Sequence, residues 1–307
     1  MKKLFAQRMM LLGVFLAALS FSNCQKNSGG KAYRYNGVMN VDGYDRSYLL
    51  NLPPDFYDTA GFPLVIVLHG FAGNAAQAER DYGVTDKANA GHFMVVYPQG
   101  VGSDGTYHLR SWNAGNCCFV AQSDDVNDVH YISGLIDYLV ANYKVDPKRV
   151  YVAGMSNGAM MAYTLACQLS DKIAAITSVS GTLIASSPCT PSRTVPVLEI
   201  HSAQDLKVPF NGGFGMDGVW FPAVDSGLNV LAALDSCGPP QMTQYTGYNL
   251  TEWRGNDGNV AIDCYLTQDG GHSWPGGSKP RAQADPPSIY LNATDLLWDF
   301  FQRYRLP

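Results

Sequence analysis

Six short apolar runs recur along the chain, at residues 64–68, 93–97, 150–153, 174–179, 195–200 and 261–266. Each is only four to six residues long. Runs of that length, rich in Val, Ile and Leu and bounded by polar or glycine-containing stretches, predict strands buried on both faces. Helical spacing appears between several of them. Over 126–143, Val129, Ile132, Ile136 and Leu139 or Val140 fall on one face. This segment starts behind Asp124 and Asp125, whose charge suits a helix N-terminus, and stops before Asp146-Pro147. Further helices are predicted over 159–169 and from about Asn292 or Thr294 through Tyr304. Alternating strands and helices predict an α/β protein with a mostly parallel sheet covered on both faces. Residues 46–52 read as an antiparallel edge strand closed by Pro53-Pro54. The Gly-rich stretches near Gly102, Gly212 and Gly276 read as loops over the carboxyl edge of the sheet, where such folds build ligand sites.

Within this frame one junction carries chemistry. The strand predicted at 150–153 ends abruptly in Gly154-Met-Ser-Asn-Gly158, and the helix at 159–169 follows at once. A G-x-S-x-G sequence between strand and helix puts Ser156 on a tight turn with its hydroxyl directed outward. The glycines fit a turn whose neighbours leave no room for Cβ atoms. Without that strand and helix the pentapeptide would be a commonplace in a glycine-rich chain.

A serine hydroxyl needs a base to take its proton, and the base needs a carboxylate to fix its tautomer. On a strand-turn-helix serine scaffold the chain order is Ser, acid, His. His69, His92, His108 and His130 precede Ser156, leaving His201 and His272. His201 sits on a strand end, and no strand with a suitable acid separates it from the serine. His272, in the flexible Asp269-Gly-Gly-His272 loop, therefore takes the base role. Asp205, just past the strand at 195–200, is the favoured acid, with Asp217, Asp225, Asp235, Asp263 and Asp269 as weaker alternatives. Two amides are expected to bind the oxyanion, those of Asn157 and of Phe71 in the His69-Gly-Phe-Ala-Gly73 loop. His69 itself reads as structural.

Charge and cysteines narrow the setting. Lys2, Lys3 and Arg8 precede an apolar run at 9–19, the pattern of an export signal too short to span a membrane comfortably. Cys24 and the polar residues after it resemble a bacterial lipoprotein signal. The expected organisation is a signal peptide at 1–23, a tether at 24–34 lipidated at Cys24, and a single catalytic domain at 35–307. The protein would then be exported and anchored to a bacterial membrane, periplasmic or at the cell surface, with ordinary secretion as the alternative. Losing three basic residues takes the net charge from −5 to −8, which disfavours nucleic acid and anionic membranes. Six further cysteines in an exported chain suggest disulfides. Cys237 is expected to pair with Cys264, and Cys117 and Cys118 with Cys167 and Cys189. No C-x-x-C or H-E-x-x-H motif is present, so neither metal nor cofactor is expected.

The segments LVIVLHG at 64–70, SWNAGNCC at 111–118, DDV at 124–126, GMSNGAM at 154–160 and GHSWPG at 271–276 together resemble the exported polyhydroxybutyrate depolymerase-like esterases. That group is similar to the feruloyl and acetyl xylan esterases of carbohydrate esterase family one. The resemblance implies an α/β-hydrolase fold and a serine carboxylester hydrolase with Ser156, Asp205 and His272 at the triad positions. The sequence departs from the family pattern at Phe71, where a small residue or cysteine is frequent, and at Ser202, where glycine is usual. Trp112 and Trp274 are candidate walls for a flat acyl group. The expected substrate is a polysaccharide-linked or polymeric ester, above all feruloylated or acetylated xylan, handled by a monomer. A polyhydroxyalkanoate depolymerase is the alternative, and a glycan-binding protein on an inactive hydrolase scaffold is the reading from another class. A peptidase of this kind would be expected to carry a propeller or lid domain.

Overall fold

The computed structural model describes residues 31–102, 109–256 and 258–307. The signal segment, Cys24 and His108 lie outside the described residues. Ten strands form one sheet: β1 (Arg34–Val41), β2 (Tyr44–Asn51), β3 (Phe62–Leu68), β4 (Met94–Pro98), β5 (Val145–Met155), β6 (Ala175–Val179), β7 (Val197–Ser202), β8 (Gln241–Tyr245), β9 (Tyr248–Arg254) and β10 (Val260–Thr267). Their order across the sheet is β1-β2-β4-β3-β5-β6-β7-β10-β9-β8. β4, β3, β5, β6, β7 and β10 run parallel, and an antiparallel pair flanks them on each side. The predicted parallel strands all appear within a few residues of their expected bounds.

The period of two explains why these strands read as unbroken apolar runs. Leu64, Ile66 and Leu68 of β3 and Val150 and Val152 of β5 join one core cluster. Their neighbours Val65, Val67, Tyr151 and Ala153 join the other. Alternate side chains point to opposite faces, and both faces are covered. Helices α4 (Asp128–Asn142), α5 (Asn157–Gln168) and α6 (Val224–Leu234) cover the first face. Helices α1 (Ala75–Asp81), α2 (Val84–Gly91) and α7 (Ala293–Phe301) cover the second, and the short α3 (Phe119–Ser123) lies between β4 and α4 in sequence. Asparagine caps start three of them: Asn74, Asn127 and Asn292 each accept a backbone N–H of the first turn.

The flanking strands were less legible. The strand expected at 46–52 exists as β2, but β1 pairs along its whole length, so β2 is not the edge. At the other side the β8–β9 hairpin extends the sheet beyond β10. β8 is exposed throughout and so lacks the apolar signal that marks the central strands.

The cysteines pair differently from expectation. Cys117 bonds its neighbour Cys118, and Cys167 at the end of α5 bonds Cys189 in the loop after β6, their Cα atoms 5.1 Å apart. The expected Cys237–Cys264 bridge is absent, and Cys264 is a buried thiol on β10.

Two buried polar devices hold the loops at the carboxyl edge. Arg46 on β2 and Asp128 on α4 form a buried ion pair at 2.5 Å, and Asp128 also accepts the amide of Asn113 at 2.7 Å. The pair is hydrogen-bonded on both sides, the condition under which a buried charge is tolerated. His69, at the end of β3, is fully buried. Its Nδ1 donates to the Gly70 carbonyl at 2.8 Å, and its Nε2 accepts the Gly100 amide at 3.0 Å. That arrangement requires the neutral ring, and burial lowers its pKa to about 4.

Opening the Cys167–Cys189 bridge with paired serines releases a span of 22 residues in the unfolded chain. Denaturant unfolding should then show a loss of about 3 kcal/mol. For His69, the unfolded chain takes up a proton between pH 6.5 and 4 while the folded protein does not. Stability from this group is therefore lost as pH falls through that window. Between pH 6.5 and 4.5 the wild type should lose about 2 kcal/mol more than His69→Gln, measured by denaturation at both pH values.

Candidate active site

Ser156 follows β5 directly and caps the N-terminus of α5 with φ 57° and ψ −123°. A positive φ is unusual for a side chain with a Cβ and costs on the order of 1–3 kcal/mol. The surroundings impose it. The Ser156 amide donates to the Val179 carbonyl at the end of β6 at 2.8 Å. A Cβ on Gly158 would fall 2.5 Å from the carbonyl oxygens of Leu68 and His69, and one on Gly154 would strike the Gly158 carbonyl. Both glycines are therefore required where β5, α5 and the end of β3 converge.

The next residue ties this turn to a second loop. Asn157 is buried, and its side-chain amide makes a reciprocal pair with the Trp112 backbone: Oδ1 accepts Trp112 N–H at 2.7 Å and Nδ2 donates to Trp112 O at 2.9 Å. The Trp112 indole N–H donates to the His69 carbonyl at 2.9 Å. The backbone N–H of Asn157 stands in the first turn of α5, at the positive end of a 12-residue helix. Across from it, the Ala72 amide is engaged by the Arg110 carbonyl, whereas among the described residues no acceptor occupies the Phe71 amide. The Phe71 ring stacks on Phe119 with centroids 3.6 Å apart.

His272 and Asp205 meet, as the sequence order suggested. His272 Nδ1 lies 2.7 Å from Asp205 Oδ2, and the Asp205 carboxyl is buried. Its other oxygen accepts the amides of Lys207 and Val208 at 2.8 and 2.9 Å. Burial alone would raise the Asp205 pKa, but the charge and hydrogen bond of His272, then His201 and the Val208 amide, hold it below the usual carboxylate range. Ser156, Asp205 and His272 stand after β5, β7 and β10, on one edge of one parallel sheet. With β6 between, they span three strand spacings, roughly 14 Å of backbone that loops and side chains bridge. Asp217, Asp225, Asp235, Asp263 and Asp269 make no contact with the His272 ring among the described hydrogen bonds and ion pairs.

Two further supports lie outside the residues the sequence singled out. Asp285 accepts the His272 backbone N–H at 3.1 Å and the Lys207 ammonium at 2.9 Å through the same oxygen. It links the His272 loop to the Asp205 loop from a stretch with no recognisable motif. Beneath the acid, His201 donates from Nε2 to the Val208 carbonyl at 2.8 Å, while its Nδ1 lies 2.9 Å from Glu199, which in turn accepts from Tyr163. Burial lowers the His201 pKa, but the hydrogen bond and charge of Glu199, with Asp205, outweigh it and leave it raised. A histidine and a glutamate two apart on an apolar strand could have suggested this pair, but only the turn at 205–208 shows what it holds.

Trp112 and Trp274 correct an expectation. Trp112 is fully buried as the latch described above, and Trp274 is buried, stacked on Tyr82 at 4.4 Å with its indole N–H on Thr294. Both are core residues, so neither offers a face to a substrate. A polar hollow of about 460 Å³ lies between α4, α5 and residues 185–190, and neither Ser156 nor His272 lines it. Among the described residues no group of side chains is arranged to hold a metal ion.

Comparison with known proteins identifies the family and the fold. The family model described as "Esterase PHB depolymerase" matches residues 46–206. Feruloyl esterase B of Piromyces equi is 26% identical over 271 residues, which cover 85% of this chain and 46% of that protein. The chain thus spans about half the length of that relative. The putative esterase NocK of Nocardia uniformis is 29% identical, covering 80% of this chain and 75% of its own. Among solved structures, the acetyl xylan esterase from Aspergillus awamori superposes with a TM-score of 0.59 at 16% identity, covering 83% of this chain and 94% of its own, a likeness of fold. A mostly parallel sheet, a serine turn on its carboxyl edge and a family match across more than half the chain lead to one assignment: the protein belongs to the Esterase PHB depolymerase family and has the α/β-hydrolase fold.

Proposed function

We propose that the protein is an exported serine esterase, anchored through Cys24, that as a monomer removes feruloyl or acetyl groups from plant cell-wall polysaccharide. The single observation that carries the catalytic part is the 2.7 Å contact between His272 Nδ1 and the buried Asp205, on the sheet edge that also presents Ser156 in a strained turn. The names of the Piromyces and Aspergillus relatives support the substrate class.

In this reading Asp205 keeps the Nδ1–H tautomer of His272, which leaves Nε2 to accept the Ser156 proton. Ser156 Oγ bonds to the ester carbonyl carbon, and the carbonyl oxygen becomes an oxyanion received by the Asn157 and Phe71 amides. Collapse breaks the bond to the sugar oxygen, which leaves with the proton from His272, and the acyl group stays on Ser156. Water then attacks with His272 again as base, and the free acid departs. The acid's depressed pKa serves this cycle, because Asp205 remains charged while the imidazolium forms beside it.

Hydrolysis of an aryl acetate checks the assignment. Ser156→Ala should lower kcat on the order of 10⁶-fold. Asp205→Asn should lower it by about 10⁴-fold with little change in KM, because the amide holds the wrong tautomer. Near-wild-type turnover by Ser156→Ala would overturn the assignment. Release of acid from polyhydroxybutyrate but not from acetylated or feruloylated xylan would move the substrate to polyesters.

A further inference from the structure

The loops of the acid and the base are bordered by exposed apolar side chains that the chemistry does not use. Leu206, beside Asp205, is 82% exposed. Phe214 and Trp220 are 77% and 59% exposed and sit directly opposite each other on a short antiparallel ribbon formed by Gly213–Phe214 and Trp220–Phe221. Directly paired residues share a face, and the buried Phe221 next to Trp220 fixes the other face inward. The ribbon is fastened to the acid's loop: the Met216 amide donates to the Lys207 carbonyl at 2.9 Å, two residues from Asp205.

A second group borders the base. The Ile289 amide donates at 2.9 Å to Asp269, three residues before His272, and its side chain is 85% exposed. Tyr290 lies against Gly247 in the β8–β9 turn, where a Cβ would collide with its ring. Tyr245 opens the same turn and stacks on Tyr248 at 4.9 Å. Because Tyr248 pairs with Thr267 at the carboxyl end of β10, this turn rises on the same edge of the sheet as His272.

Exposed aromatic rings held on short, fastened turns are what a binding surface uses, since rigid rings lose little freedom when covered. We propose that these two groups form a track for the polymer that carries the ester, and that the polymer is an uncharged polysaccharide. This extends the esterase reading to the substrate's remote part. Sugar rings present flat C–H faces to Phe214 and Trp220, and their hydroxyls suit the phenols of Tyr245 and Tyr290. The groups are separated by the partly exposed Lys207–Asp285 ion pair, a break that a hydroxyl-bearing chain tolerates and a continuous aliphatic polyester surface does not. The net charge of −5 disfavours a polyanionic glycan.

The test separates binding from catalysis. Full-length Ser156→Ala protein is sedimented with insoluble acetylated xylan, and Phe214→Ser/Trp220→Ser is compared in that background and in the active enzyme. The expected results are xylan binding by Ser156→Ala, about tenfold weaker binding by the ribbon variant, and unchanged melting temperature and aryl-acetate kcat/KM in the active background. Equal xylan binding with and without the two rings overturns the proposal, as does adsorption to polyhydroxybutyrate granules in place of xylan. Loss of aryl-acetate turnover in the ribbon variant overturns it as well, since the rings would then belong to the reacting site. Failure of the esterase reading alone would show as active Ser156→Ala with ring-dependent xylan binding intact.

Discussion

The contact on which the rest of this structure depends is the approach of the first turn of α5 to the end of β3. Gly158 rests against the carbonyls of Leu68 and His69 with no space for a side chain. That closeness forces Ser156 out of ordinary backbone geometry and aims the N-terminus of α5 at the carboxyl edge of the sheet. It also brings the Asn157 side chain within reach of the Trp112 backbone. The serine turn, the Phe71 loop and the 111–118 loop are thus positioned by one packing constraint. The unfavourable φ of Ser156 persists because several neighbours fix it at once.

The same economy appears around Asp205 and His272. Asp205 is satisfied from two sides, by the amides of its own turn and by His272, so its charge is retained despite burial. Asp285 binds both loops through one oxygen, and the buried Glu199–His201 pair supports the turn from below. Rigidity of this kind holds the His272 imidazole and the Asp205 carboxylate in one fixed geometry.

The central strands, the helices between them and the Ser156 turn were readable because each depends on local pattern, while His272 and Asp205 followed from chain order along that scaffold. Strands buried on both faces show as apolar runs, and a serine turn shows as glycines at fixed offsets. What escaped depends on distant partners. β1, and β8 with its uniformly exposed side chains, are held as strands by pairing rather than by burial. Asp285 has a role only because the chain returns past His272. Trp112 and Trp274 look the same in sequence whether they face a ligand or the core, and their hydrogen bonds to His69 and Thr294 show the latter. The cysteine pairing likewise follows from proximity in space that spacing does not encode.

Residues 268–292 join β10 to α7 without forming a helix or strand. This one connection carries His272, the Asp285 carboxylate that holds its backbone, and the exposed side chains of Ile289 and Tyr290. Its two ends are fixed, by the sheet at Thr267 and by the Asn292 cap of α7. A lineage can therefore recast the segment by insertion or exchange with the core left as it stands, so long as a carboxylate returns to the His272 amide. The segment is in that sense a cassette, its fastened ends physically separable from its irregular middle.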